Sequence, residues 1–191
     1  MCENLYKAVL DIKTLETERL ILRDWKFTDI DDFYEIWSNP NVTIPHDDEP
    51  KHSKEECLPM VKYLINARNN YALELKTTGK VIGSVGLNED GDNNPNGRNL
   101  GYMLNEKYWN LGYAQEALRE IIANAYEVAS FLSAGFWHDN ENLKSQHIIN
   151  KLGFKYSKTI VSSGRKFDYF VLKLLKPDSG FLLQSNAEGL R

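Results

Sequence analysis

A short glycine-bearing turn between a strand pattern and a helix pattern constrains this chain more than any other feature. The apolar run Leu100-Gly101-Tyr102-Met103-Leu104 reads as a strand, and Ala114, Ala117, Leu118, Ile121, Ile122, Ala125 and Ala129 recur at helical spacing behind it. Between them stands Glu106-Lys107-Tyr108-Trp109-Asn110-Leu111-Gly112-Tyr113. A helix start leaves backbone N–H groups unpaired and carries partial positive charge, so it suits an anion such as a diphosphate. Gly112 lets the backbone approach a ligand with no side chain in the way. Any strand–turn–helix connection can hold one glycine, so the rest of the chain has to decide what this turn is for.

The bulk properties narrow the field. A chain of 191 residues is one domain by length and buries about two-thirds of its unfolded surface, so it needs neither disulfides nor a metal to hold a core. Hydrophobic residues make up 42% and charged residues 26%, as in an ordinary globular protein. The longest apolar runs are of strand length, which speaks against a membrane span. Met1-Cys2-Glu3-Asn4 lacks the basic and apolar blocks of a signal peptide. Cys2 and Cys57 are too few for a disulfide framework, and the cytoplasm is the expected compartment. The net charge of −4, with no basic cluster, argues against a nucleic-acid footprint and is compatible with a cationic acceptor such as an amine. His46, His52 and His147 have no metal-ligand spacing, so no metal site is expected.

Along the chain the patterns predict a strand over Arg19–Trp25 and a helix carrying Ile30, Phe33, Tyr34 and Trp37. A loop is expected over Asn41–Lys51. A second helix follows from Ser53 to about Arg68, which Pro59 should kink or restart. Strands follow at Tyr71–Leu75 and Lys80–Leu87, then a long hairpin loop over Asn88–Arg98 and a strand over Asn99–Leu104. The helix over Ala114–Ala129, a strand over Phe131–Trp137 and a helix over Glu141–Leu152 come next, with Gly153 as its stop. A hairpin of Phe154–Val161 and Lys166–Leu175 closes a single domain over residues 1–175, and 176–191 read as a tail. The order β-α-α-β-β-β-α-β-α-β-β implies an α/β (α+β) fold. Its sheet is mixed and mostly antiparallel, with six to seven strands and about four helices.

The segment Tyr108-Trp109 through Gly112-Tyr113-Ala114-Gln115-Glu116-Ala117 resembles the acetyl-CoA-binding turn of the GNAT superfamily of N-acetyltransferases, in particular the branch of ribosomal-protein N-terminal acetyltransferases (RimJ/RimL-like). Asn142-Leu143-Lys144-Ser145 followed by Lys151-Leu152-Gly153-Phe154 resembles that branch's second signature, and Leu15 to Arg23 its first strand. The resemblance covers roughly Leu15 to Leu175. It implies a GNAT-like sheet whose two central strands splay apart to admit the pantetheine arm of acetyl-CoA.

What the resemblance implies for individual residues can be stated. Met103, Leu104 and Asn105 would pair through their backbone with the pantetheine. Trp109, Asn110, Leu111, Gly112, Tyr113 and Ala114 form the diphosphate turn. Asn142 would lie near the pantetheine, and Ser145 near the thioester sulfur, where it would donate a hydrogen bond or proton to the departing thiolate. Asn142 and Ser145 share a helix face at i and i+3, and both also suit simple N-terminal capping; Trp109 also suits core packing. Two departures stand out. The branch usually carries Gly then Lys or Arg where this chain has Asn110 and Leu111, so a charged phosphate contact is lost, for which Lys107 or Lys144 could compensate. It often carries Glu where this chain has Asn99, and an amide cannot accept a proton at neutral pH. His138, at the end of the Phe131–Trp137 strand, is the leading substitute base, with water as a second route and Glu74 and Glu89 behind. The acidic stretch Pro45-His46-Asp47-Asp48-Glu49 would border the acceptor pocket or simply be a solvated loop.

Two functions therefore stand open from the sequence. One is an acetyl-CoA-dependent N-acetyltransferase acting on a protein N-terminus or small-molecule amine. The other is a catalytically weak acyl-CoA-binding regulator on the same fold. The acceptor and the oligomeric state are not legible, and a homodimer is compatible with the chain.

Overall fold

The computed structural model describes residues 13–46, 48–89, 97–125, 133–139, 142–162 and 164–174. Its strands are β1 (Leu15–Glu16), β2 (Leu20–Arg23), β3 (Asn70–Leu75), β4 (Val81–Glu89), β5 (Gly97–Leu104), β6 (Ser133–Asp139), β7 (Lys155–Ser162) and β8 (Arg165–Lys173). Its helices are α1 (Ile30–Trp37), α2 (Pro40–Thr43), α3 (Lys54–Ala67), α4 (Tyr113–Ala123) and α5 (Leu143–Lys151). The strands form one sheet in the order β1-β2-β3-β4-β5-β6-β8-β7. Every neighbouring pair is antiparallel except β5 and β6, which are parallel because the α4 crossover joins them. Among the described residues no helix is long and apolar enough to cross a membrane.

The mixed, mostly antiparallel sheet matches expectation; among the described residues there are eight strands, against six to seven expected, and five α-helices, against about four. The extra strand, β1, pairs only Leu15 with Leu22 and Glu16 with Ile21, too short for a periodic signal. The extra helix, α2, lies where the loop beginning at Asn41 was expected. Asn39 caps it by accepting from the Asn41 amide, and Pro40 occupies its first turn, where a missing N–H costs nothing. Helix α3 runs through Pro59 without a break. Both Pro59 and Glu55, whose carbonyl the proline ring leaves unpaired, are exposed, so water replaces the lost bond. Strand β5 begins two residues earlier than expected, at Gly97, because Arg98 pairs with Glu89 across the hairpin. The expected end of the α4 helix and the tail at 176–191 lie outside the described residues.

Side chains alternate across the sheet and build two layers. On one face Leu100 and Leu104 of β5 and Phe136 of β6 join Leu118, Ile121 and Ile122 of α4 and Ile149 of α5 in the main core. On the other, Trp25, Phe33, Cys57, Val61, Leu64, Ala72 and Val81 seat α1 and α3, and Met103 packs with Ile36 and Val42 of α1 and α2. Burying each such side chain contributes about 1.5–3 kcal/mol. Strand β5 is thereby packed between α1–α2 on one side, through Met103, and α4 on the other, through Leu100 and Leu104.

Candidate active site

The centre of the sheet opens. β5 and β6 pair only at Gly97–Ser133, Arg98–Ala134 and Asn99–Gly135. Beyond these, Leu100 to Leu104 and Phe136 to Asp139 have no partner in each other. β5 stays paired to β4 along its whole length, and β6 to β8. The strands therefore diverge, and a wedge forms between them.

The register decides which backbone groups face that wedge. The Asn105 amide donates to the Ile82 carbonyl at 2.8 Å, so Asn105 is committed to β4. Antiparallel pairing alternates, and with an unshifted register Met103 and Gly101 face β4 as well. The groups that point into the wedge belong to Tyr102 and Leu104. This corrects the expectation that Met103, Leu104 and Asn105 share the role. The Leu104 carbonyl is already taken by the Trp109 indole N–H at 2.7 Å, which leaves the Leu104 amide and both backbone groups of Tyr102.

The glycine turn closes the open end of the wedge. A single 3-10 turn, Glu106–Tyr108, leads into it. Asn110 then takes φ +61° and Gly112 φ +84°, both left-handed. The first is tolerable for asparagine, whose short polar side chain visits this region more readily than most; the second is the province of glycine. The backbone need at position 110 is thus met by Asn in place of Gly. Helix α4 starts at Tyr113 with Gly112 as its cap, so its first amides face outward without intrahelical partners.

Arg19, which the sequence reading passed over, holds this turn. Its guanidinium donates to the Leu111 carbonyl at 2.9 Å and to Glu116 at 2.7 Å, and stacks 4.1 Å from the centre of the Tyr113 ring. Its Nη2 would lie 3.4 Å from a Cβ built on Gly112. Glu116, in the first turn of α4, also accepts from the Thr17 hydroxyl and from the Arg19 amide at 3.0 Å. Burial pushes the Glu116 carboxyl up, but these hydrogen bonds outweigh it and hold the group below the usual carboxylate range. Because the folded pKa is depressed, the stabilisation is present above the unfolded value near 4.3 and is lost as pH falls through the folded one. Glu116→Ala is expected to cost about 1–3 kcal/mol in urea unfolding and to weaken acetyl-CoA binding, measured by calorimetry, since the turn loses its tie to the β1–β2 connection.

The two lysines considered as phosphate contacts part company. Lys107 is bound to Glu35 at 2.7 Å, and hydrogen bonds from Lys107 and Lys80 bring that carboxyl down to about 2. Lys144 stands 4.4 Å from the centre of the Trp109 ring, so a cation from α5 does reach the turn. Trp109 packs against the main core and bonds Leu104, which makes it a structural pin of the turn.

On the far wall, Asn142 caps α5 by accepting from the Ser145 amide at 3.1 Å. The capping role is therefore real for Asn142. Ser145 is buried, at 4% exposure. Asn99 lies on the opposite face of β5 from Tyr102, by strand alternation, and its Oδ1 is buried with no hydrogen-bond partner among the described residues. His138 is in β6, beyond the last β5–β6 pair; its side chain lies outside the described residues. Of the acidic stretch at 45–49, Pro45 and His46 belong to a 3-10 turn after α2, and Asp47 lies outside the described residues. No cluster among the described residues could hold a metal ion.

Residues 19–155 match the Acetyltransferase (GNAT) domain family. The chain belongs to the GNAT acetyltransferase family. It is 29% identical over 178 residues to N-acetyltransferase p20 of Bacillus licheniformis, itself uncharacterized, covering 86% of this chain and 97% of that one. The acetyltransferase of Bacillus anthracis superposes with a TM-score of 0.76 at 20% identity, over 84% of this chain and 98% of the other. A spermidine N-acetyltransferase of Vibrio cholerae, solved with CoA and spermine, superposes with a TM-score of 0.71 at 16% identity, over 82% and 96%. These two likenesses are of fold. As a GNAT protein the chain is an acetyl-CoA-dependent N-acetyltransferase. A helix start with unpaired amides behind a left-handed turn suits an anion.

Proposed function

We propose that this acetyltransferase moves the acetyl group of acetyl-CoA directly to a primary amine, with both substrates bound together. The observation that carries the reading is the β5–β6 wedge. It is open to the α4–α5 layer, where Ser145 stands, and to the α1–α2 layer, where Asn99 lies. A donor in the wedge presents its carbonyl carbon to an amine arriving from the second side. The amine lone pair forms the C–N bond, and backbone amides stabilise the oxyanion. The C–S bond then breaks with its electron pair going to sulfur, and the Ser145 hydroxyl donates a hydrogen bond that stabilises the thiolate until water protonates it. The diphosphate rests on Asn110 to Ala114, with Lys144 beside it. The acceptor is a protein N-terminus or a small amine.

The experiment is thiol release from acetyl-CoA across a panel of amines and N-terminal peptides. Initial rates should give intersecting lines; parallel lines would mean an acetyl-enzyme and sink direct attack. The amine's proton needs a route without Glu at position 99. If His138 is the base, the rate has a limb near about pH 6–7 that His138→Gln removes. If water carries the proton, that variant keeps the profile. Asn99→Glu should raise the rate in either case; a fall would show that position 99 does not face the acceptor.

A further inference from the structure

The glycine turn is fastened to the α1–α2 layer by two neighbouring residues of opposite charge, Glu106 and Lys107, in the 3-10 turn that leads into it. Glu106 accepts from the Asn39 side-chain amide at 2.7 Å and from the Asn41 side-chain amide at 3.0 and 3.1 Å. Lys107 donates to Glu35 of α1 at 2.7 Å. The Asn39 amide is fixed in the orientation this needs, because its oxygen already caps α2 by accepting from the Asn41 backbone N–H at 2.9 Å. These hydrogen bonds, that from Asn39 first, hold the Glu106 carboxyl below the usual carboxylate range, so it is ionised at neutral pH and the contacts are charge-assisted.

The segment held in this way stands beside the face of β5 that carries Asn99. Val42 of α2 and Ile36 of α1 pack on Met103, and Met103, Gly101 and Asn99 share that face by strand alternation. A Cβ built on Gly101 would meet nothing within 4 Å, so open space lies over β5 between Asn99 and the contact of Met103 with Val42. Helix α2 walls one end of that space. At four residues, Pro40–Thr43, it is far too short to hold itself, and tertiary contacts set its position. Those contacts are Val42 on Met103 and the two asparagines on Glu106.

We propose that Glu106 is a positioning residue that links the two substrate sites. When acetyl-CoA fixes the turn, Glu106 fixes α2, and the amine finds its wall in place. Linkage is reciprocal, so bound amine tightens acetyl-CoA binding by the same factor. Glu106 acts through α2 and is not a catalytic residue. The inference rests on the placement of donor and amine proposed above.

Hydrogen exchange read by mass spectrometry, with CoA as the added ligand, tests the link without turnover. The amides of Asn41, Val42, Thr43 and Ile44 are all bonded within the α2 turn, so they report its opening. In the wild type CoA should slow exchange at residues 109–114 and also at 41–44, the latter by roughly fivefold or more. In Glu106→Ala the turn should still be protected and α2 should not. Rates give the second readout. With the best acceptor of the amine panel, KM for the amine should rise about five- to twentyfold in Glu106→Ala, while kcat, the calorimetric affinity for acetyl-CoA alone and the melting temperature change little. Asn41→Ala leaves the α2 cap in place and should shift KM the same way, and the double variant should be no worse than Glu106→Ala. Protection of α2 that survives Glu106→Ala overturns the link, as does a wild type in which CoA protects the turn but not α2. If CoA leaves the turn itself unprotected, the donor placement fails and the link with it. If no amine is turned over, the proposed reaction fails, and exchange still decides the link.

Discussion

Gly112→Glu is expected to abolish acetyl-CoA binding. Two effects act together. At φ +84° any side chain adds strain of about 1–2 kcal/mol to the turn. The larger effect is charge. Two unit charges about 5 Å apart repel by about 3 kcal/mol at an effective dielectric near 20, and a diphosphate carries more than one charge. Even one such pair corresponds to a loss of about two orders of magnitude in affinity. Arg19 is near enough to pair with the new carboxylate, since its Nη2 lies 3.4 Å from the Cβ position, and doing so would withdraw its guanidinium from Leu111 and Glu116. Calorimetric titration with acetyl-CoA checks the result. Gly112→Ala is the control, because it carries the strain without the charge and should lose only a small part of the affinity. Unchanged binding in the Glu variant would remove the diphosphate from this turn.

Ser145→Ala is expected to lower the chemical rate by roughly ten- to a thousandfold with little change in acetyl-CoA affinity. The substitution is clean because the contact that holds α5 in place uses the Ser145 backbone amide, which donates to Asn142, and alanine keeps it. Asn142→Ala is the contrasting variant. It removes the cap, costs about 1 kcal/mol of stability and disturbs Ser145 only through the helix end. Single-turnover measurements separate the chemical step from product release. A normal single-turnover rate in Ser145→Ala would place the group that stabilises the leaving thiolate elsewhere.

Position 110 shows how a sequence departure can be conservative in the fold. Asn110 stands where the branch usually carries glycine. Its φ of +61° shows why the position favours glycine and why asparagine is tolerated there. Leu111 replaces a cation but projects into solvent at 53% exposure, and the positive charge around the turn comes from Arg19 and Lys144, each supplied by a different element. Trp109 and Asn142, each with a structural and a functional reading open from sequence, prove to hold structural bonds.

Read alone, the sequence determined the elements whose signals are local: the amphipathic face of α4, the glycine before it, the i, i+3 pair on α5, and an order of strands and helices that demands one parallel pair in an antiparallel sheet. Such signals are legible because periodicity and the special backbone freedom of glycine act within a few residues. Only the tertiary structure decided that Met103 and Asn105 face β4 while Tyr102 and Leu104 face the wedge, since register depends on which residue of another strand stands opposite. It alone brought Arg19 to Leu111 across 92 positions of sequence and to Glu116 across 97. These pairings form when the sheet assembles and the helices close over it, and neither partner carries a local mark of the other.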